Sequence, residues 1–268
     1  MNDLIPTGLA DLDNQLAYGG LRGGHLVVIA SRYGMGADTL AANVARNVAI
    51  NRGIPTLFTS CRHSEAITMD HLVAAQAGVP YIHITRGTLD ERETDRIAAV
   101  SEAMRSAPLF LNCADPTITE IAERVAQAHV RLLVIEGAHL LLTDGARVEN
   151  QEHRAEMQSF ALKTLAGRAG IPVVVSVPLV TRDDKPIGLE PTLQDFDYRD
   201  SYLAHADLVL LTHRPDAHGD NTRAGEIDIT IAKQRNGIAG MVTACFQEPY
   251  DRVLPLPKNF RLLNGDAP

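Results

Sequence analysis

The sequence predicts an α/β fold: a mostly parallel central sheet flanked by helices, with an antiparallel hairpin at its C-terminal end. Three observations carry this. Short apolar runs alternate with helical patterns along most of the chain. The run at residues 26–30 feeds a glycine-containing turn and then a helical pattern. Near the end the period changes. Residues 226–235 alternate apolar and polar, Asn236-Gly237 is a hairpin turn, and residues 241–247 read as a second strand.

In chain order, the strands are expected at residues 25–30, 55–60, 108–112, 132–136, 172–177 and 207–212. Helices are expected at 38–51, 64–77, 89–105, 117–129 and 151–169. Polar loops fill 143–151, 181–201 and 214–225, and the second is long enough to suggest a functional loop. The segment after Val253, rich in proline and lysine, is expected to pack loosely. The division is then a lead-in at 1–20, one large domain at 21–255 and a tail at 256–268.

A chain of 268 residues can bury a sizeable core as one domain. Its net charge of -8 supplies no bulk positive field toward nucleic acid or anionic membrane, though a ring of copies could still hold a basic channel. Cys61, Cys113 and Cys245 lie far apart and match no zinc or redox spacing, so reduced thiols in a cytoplasmic protein are expected. No metal ligand set is expected. Met1-Asn2-Asp3 opens without a signal-peptide pattern, and no run of about 18 apolar residues predicts a membrane span.

The chemistry concentrates at Ala30-Ser31-Arg32-Tyr33-Gly34-Met35-Gly36-Ala37-Asp38-Thr39. Strand, glycine turn and helix is the setting of a phosphate-binding loop. In a working loop, lysine and then Ser/Thr follow the last glycine. Ala37 and Asp38 stand there instead. Ala37 cannot reach a phosphate, and Asp38 places negative charge where phosphate would sit. A hydroxyl from Thr39 would serve only if the register slipped by one. Otherwise Gly34 and Gly36 make a strand-to-helix turn, with Asp38 as a helix cap.

Several segments in order resemble the RecA-like C-terminal domain of DnaB-type replicative helicases. Residues 5–13 resemble its entry, residues 20–30 its first core strand, and Arg32, Met35, Gly36, Thr39 and Leu40 its phosphate loop. Residues 58–64 line up with its second strand and catalytic-glutamate region, 132–142 with its Walker B strand, and 191–207 with its second DNA-binding loop. Ile231-Ala232-Lys233-Gln234-Arg235-Asn236-Gly237 matches its basic finger and is the most specific piece. The resemblance covers nearly the whole chain, without the family's separate N-terminal, primase-interacting domain.

The resemblance implies a RecA-like P-loop fold, a homo-oligomer or association with a helicase-type protein, and ATP with magnesium as ligands if the site works. It also assigns roles. Arg62 stands at the position of the glutamate that activates water, and guanidinium cannot act as a base. It could pair with Asp38, hold a phosphate or face solvent. Glu136 stands at the Walker B aspartate, His139 near a family glutamine, and Pro178 near the glutamine that senses the γ-phosphate. Lys233 and Arg235 match residues that reach a neighbouring subunit's ATP site, and alternation puts both on one strand face. In 181–201, Arg182, Lys185 and Arg199 face Asp183, Asp184, Glu190, Asp195, Asp197 and Asp200. That acidic excess weakens any single-stranded DNA contact. The expected role is a non-hydrolysing scaffold or regulatory subunit linked to DNA replication. The alternatives are a helicase with an atypical site and a nucleotide sensor without turnover.

Overall fold

A computed structural model describes residues 4–113, 116–142, 150–180, 189–258 and 260, without the side chains of 197–199 and 218. Nine strands form one sheet: β1 (Leu26–Ser31), β2 (Thr56–Ser60), β3 (Leu109–Asn112), β4 (Leu132–Glu136), β5 (Val173–Pro178), β6 (Leu208–His213), β7 (Glu226–Gln234), β8 (Gly240–Gln247) and β9 (Arg252–Pro255). Their order is β3-β2-β4-β5-β1-β6-β7-β8-β9. The pairs from β3 to β6 are parallel, and those from β6 to β9 are antiparallel. Strands β1, β2, β4, β5 and β6 are buried at every residue, as strands covered on both faces must be.

Among the described residues eight helices flank the sheet: α1 (Ala10–Gln15), α2 (Ala37–Arg46), α3 (Glu65–Ala77), α4 (Tyr81–Arg86), α5 (Glu91–Ser106), α6 (Ile118–Gln127), α7 (Gln151–Ala169) and α8 (Asp200–His205). Alternation along the strands divides the core. Val27, Ile29, Phe58 and Val134 pack with Leu40 and Val44 of α2 on one face. Val28, Leu57, Leu133 and Ile135 pack with Ile121 of α6 and Leu162 of α7 on the other. Helix α2 runs on through a π turn, Asn47–Asn51, which supplies the rest of the expected helix. Helices α5 and α6 each start on a reciprocal capping box, Asp90 with Glu93 and Thr117 with Glu120.

Several expectations need correction. The segment after Val253 is not loose at its start, because residues 252–255 add strand β9 to β8 and Val253 is buried. The described part of the lead-in packs into the core. Ile5 bridges to Leu21, and Ile5, Leu9, Leu12 and Leu16 join the α2-side core. The hairpin is not a two-residue turn, since β7 ends at Gln234 and β8 begins at Gly240. Gln234 Nε2 donates to the carbonyls of Gln15 and Ile238, which fixes a wider loop. Helices α1, α4 and α8 are too short to declare a period in the sequence. Residues 143–149, 181–188, 259 and 261–268 lie outside the described residues, including Arg182, Asp183, Asp184 and Lys185 of the expected DNA loop.

Candidate functional site

The carboxyl ends of β1, β2, β4 and β5 meet around the start of α2, where open α/β sheets place their ligands. The loop from β1 turns on Gly34 (φ 76°) and Gly36 (φ 89°). Glycine is required at 36 on two counts, because the backbone is left-handed and an added Cβ would sit 2.6 Å from Ile227 Cδ1. Met35 is buried, and its carbonyl accepts from Thr212 Oγ1 at 2.7 Å. A cleft of about 240 Å³ opens over this loop, lined by Arg32, Gly34, Gly36, Ala37, Asp38, Thr39, Arg62, Pro178 and Arg214 among others.

Asp38 and Arg62 come together across this cleft, with Asp38 Oδ2 3.3 Å from Arg62 Nε. The contact is an ion pair without aligned hydrogen-bond geometry. Asp38 is not the helix cap. Gly36 holds the N-cap position without a side-chain bond, and Asp38 Oδ1 instead accepts from Ser176 Oγ. Ser176 in turn accepts from the Gly137 N–H at 2.9 Å, and Arg62 packs against Gly137. Strands β2, β4 and β5 thus support one short polar chain.

Glu136 ends β4 beside it. Ser60 Oγ donates to Glu136 Oε2 at 2.5 Å and accepts from the N–H groups of Arg62 and His63. Burial pushes the Glu136 carboxyl up to about 7; the Ser60 hydrogen bond opposes the shift and the Asp38 charge adds to it. His63 Nε2 lies 3.9 Å from Glu136 Oε1, and burial lowers the imidazole pKa. The Thr39 hydroxyl donates to Asp251 Oδ1 at 2.7 Å, so its proton is already engaged. Burial raises the Asp251 carboxyl, but hydrogen bonds from His71 and Thr39 outweigh it and hold the group below its ordinary range. His71 is fixed by stacking on Tyr81, 3.9 Å between ring centroids. Among the described residues no group of His, Cys, Asp and Glu side chains is arranged to hold a metal ion.

The other expected residues stand outside this polar chain. Arg32 pairs with Asp195 Oδ2 at 3.5 Å and donates to the Leu189 carbonyl, tying the phosphate loop to the second half of the 181–201 loop. Pro178 pairs in register with Ser31 and offers no donor to the cleft. His139 lies in the 3₁₀ turn after β4. Lys233 and Arg235 sit at the opposite end of the sheet, because Leu208 at the start of β6 faces Gln234. Six residues of β6 separate them from the loop end, about 20 Å at ~3.3 Å per residue. Lys233 is in β7, just after a bulge at Ala232, and Arg235 lies one residue beyond the strand. Lys233 Nζ donates to the Leu203 carbonyl, while Arg235 Nε pairs with Asp207 Oδ1 at 3.0 Å. Asp207 also accepts from Lys163 Nζ and Leu26 N–H.

Sequence reasoning missed Ser60, His71, Ser176, Arg214 and Asp251. Arg214 donates to both Glu248 carboxylate oxygens at 3.1 Å and lies 4.3 Å over the Phe246 ring. Each comes from a different segment, and no local motif marks any of them.

Comparison with known proteins gives one consistent picture. The model of the DnaB-like helicase C-terminal domain matches residues 5–254. The chain is 34% identical over 253 residues to the replicative DNA helicase DnaB of Leifsonia xyli, covering 92% of this chain and 55% of that protein. It is 31% identical to DnaB of Treponema pallidum over 254 residues, with the same coverage. The chain therefore spans about half the length of these relatives. In fold it is similar to a solved ATPase domain (TM-score 0.84, 20% identity, 94% of this chain and 91% of that one). It is also similar to a DnaB-like replicative helicase solved in a study of its interactions with primase (TM-score 0.85, 19% identity, 94% and 62%).

Proposed function

Because the chain belongs to the DnaB-like helicase C-terminal domain family, we propose that it is a replication-linked, cytoplasmic member whose nucleotide site has lost hydrolysis. Its role is that of a scaffold or regulatory subunit, in its own ring or beside a helicase-type partner. The Asp38–Arg62 pair across the phosphate loop carries this reading. In a working loop a lysine cradles the phosphates and a hydroxyl ligates magnesium. Ala37 brings no donor, and the charge of Asp38 is already engaged by Arg62 and Ser176. Arg62 cannot take a proton from water, and Pro178 cannot sense a γ-phosphate. These residues do not fit a magnesium nucleotide held as a working P-loop holds it.

What remains supports assembly. Lys233 and Arg235 stand too far from their own loop to serve it, so a phosphate loop they reach would belong to another chain. That placement also favours a second reading, a genuine helicase ring in which the finger still acts. Calorimetry with ATP and ADP in magnesium buffer, with mass by light scattering in the same buffer, separates the two. The expected outcome is no binding at millimolar nucleotide with an oligomeric mass. Micromolar binding with turnover would establish the helicase reading, and binding without turnover would make the protein a nucleotide sensor.

A further inference from the structure

A second cavity, about 210 Å³, runs behind the phosphate loop between α2 and α3. At the loop end Asp38 pairs with Arg62, Asp251 with His71, and Glu136 accepts from the neutral Ser60 hydroxyl. The inner end holds a cation that no carboxylate among the described residues pairs with. Arg46 lines the cavity and is only 7% exposed. Its Nη1 and Nη2 donate to neutral acceptors, Gln76 Oε1 and Asn43 Oδ1, both at 2.6 Å. Its Nε has no hydrogen-bond partner, and among the described residues no carboxylate pairs with it. Its charged neighbour is Arg252, also without a carboxylate partner among the described residues, whose guanidinium donates to Gln247 and to the Ala75 carbonyl. Burial, with Arg252 adding to it, pulls the Arg46 guanidinium down to about 10, so it is still a cation at neutral pH.

A buried cation without a counter-charge is costly, and folded proteins pair such groups. The missing partner is one negative charge. Ala42, Phe58, Leu72 and Ala75 give the cavity an apolar side, while Asn43, Thr68 and His71 add polar groups to its lining. We propose that this cavity is a binding site for a small organic monoanion, a carboxylate with a short apolar body, held by Arg46. The volume admits a ligand of benzoate size. The proposal does not depend on whether the phosphate loop turns over nucleotide. The two cavities share Asp38, Thr39 and Asp251 as a wall, so an occupant would touch the back of the loop.

The test is a melting series of the whole chain in benzoate, with benzyl alcohol and inorganic phosphate as controls. Benzoate at a hundredfold excess over its dissociation constant is expected to raise Tm by about 5 °C or more. Benzyl alcohol lacks the charge and phosphate lacks the apolar body, so neither should match it. Arg46→Met keeps the length and removes the charge. It should melt no lower than the parent and lose the benzoate shift. Leu72→Trp, which fills the cavity from α3, should lose the shift while Arg46 remains. Equal shifts from benzoate and phosphate, or a benzoate shift that survives both substitutions, would overturn the proposal. So would the absence of any shift, checked by fluorine NMR with 4-fluorobenzoate at millimolar concentration.

Discussion

Asp38 accepts from Ser176 on one oxygen and pairs with Arg62 on the other, so one carboxylate links the start of α2 to the ends of β2 and β5. The pair is part-exposed and contributes at most about 1 kcal/mol. Its weight in the proposed function is chemical, because the pair lies across the cleft over the loop. Restoring Ala37→Lys with Asp38→Thr should give no steady-state ATP hydrolysis, because Arg62 still stands where a base is needed. Adding Arg62→Glu should raise the rate at least about a hundredfold, the typical effect of one preorganised catalytic group. Robust turnover by the double variant alone would refute this assignment of Arg62. Glu136 makes a different prediction. Its folded pKa is raised to about 7 from an unfolded 4.5. A raised carboxylate stabilises the fold fully below its unfolded pKa and loses that contribution as pH rises through its folded pKa. Urea melts should therefore show the parent losing up to about 3 kcal/mol relative to Glu136→Gln between pH 4.5 and 8. A constant difference across that range would mean Glu136 titrates normally.

At the scale of the element, the loop between β1 and α2 depends on Gly36 more than on any side chain it presents. Gly36→Ala meets both a left-handed backbone and the Ile227 methyl, and should destabilise by about 2 kcal/mol in denaturant melts. Gly34 is left-handed with open space around it, so Gly34→Ala should cost about 1 kcal/mol. Equal costs at the two positions would show that packing against Ile227 is immaterial. Long elements were legible because their periods are long. Helix α7 falls on the expected residues, and the starts of α5 and α6 are written in their capping boxes. Helices α1, α4 and α8, six residues each, carry too little pattern to be read. Strand β9 was hidden by the proline-rich composition around it, which an edge strand tolerates.

At the scale of the molecule, the parallel and antiparallel halves of the sheet put two sets of basic residues at opposite ends. Arg62 works at the carboxyl ends of the parallel strands, while Lys233 and Arg235 project where β7 returns beside the start of β6. Arg235 is 57% exposed, and Asp207 keeps Lys163 and Leu26 as partners without it. Arg235→Ala should therefore leave the melting temperature within about 2 °C while lowering the oligomeric mass in light scattering. An unchanged mass would remove Arg235 from the interface.

The α/β class and the positions of the first eight strands were legible in the sequence alone, as were Ala37 and Asp38 after the last glycine of the loop. Each is a local matter, carried by period, composition or a contiguous motif. Tertiary structure decided what local order cannot encode. It chose Arg62 as the partner of Asp38, drew Ser176 and Asp251 into the site, engaged the Thr39 hydroxyl with Asp251, and left Arg46 buried beside a cavity with no carboxylate partner among the described residues. Those outcomes depend on which strands become neighbours. Pairing across dozens to hundreds of residues is set by the packing of the whole sheet, and no stretch of sequence contains it.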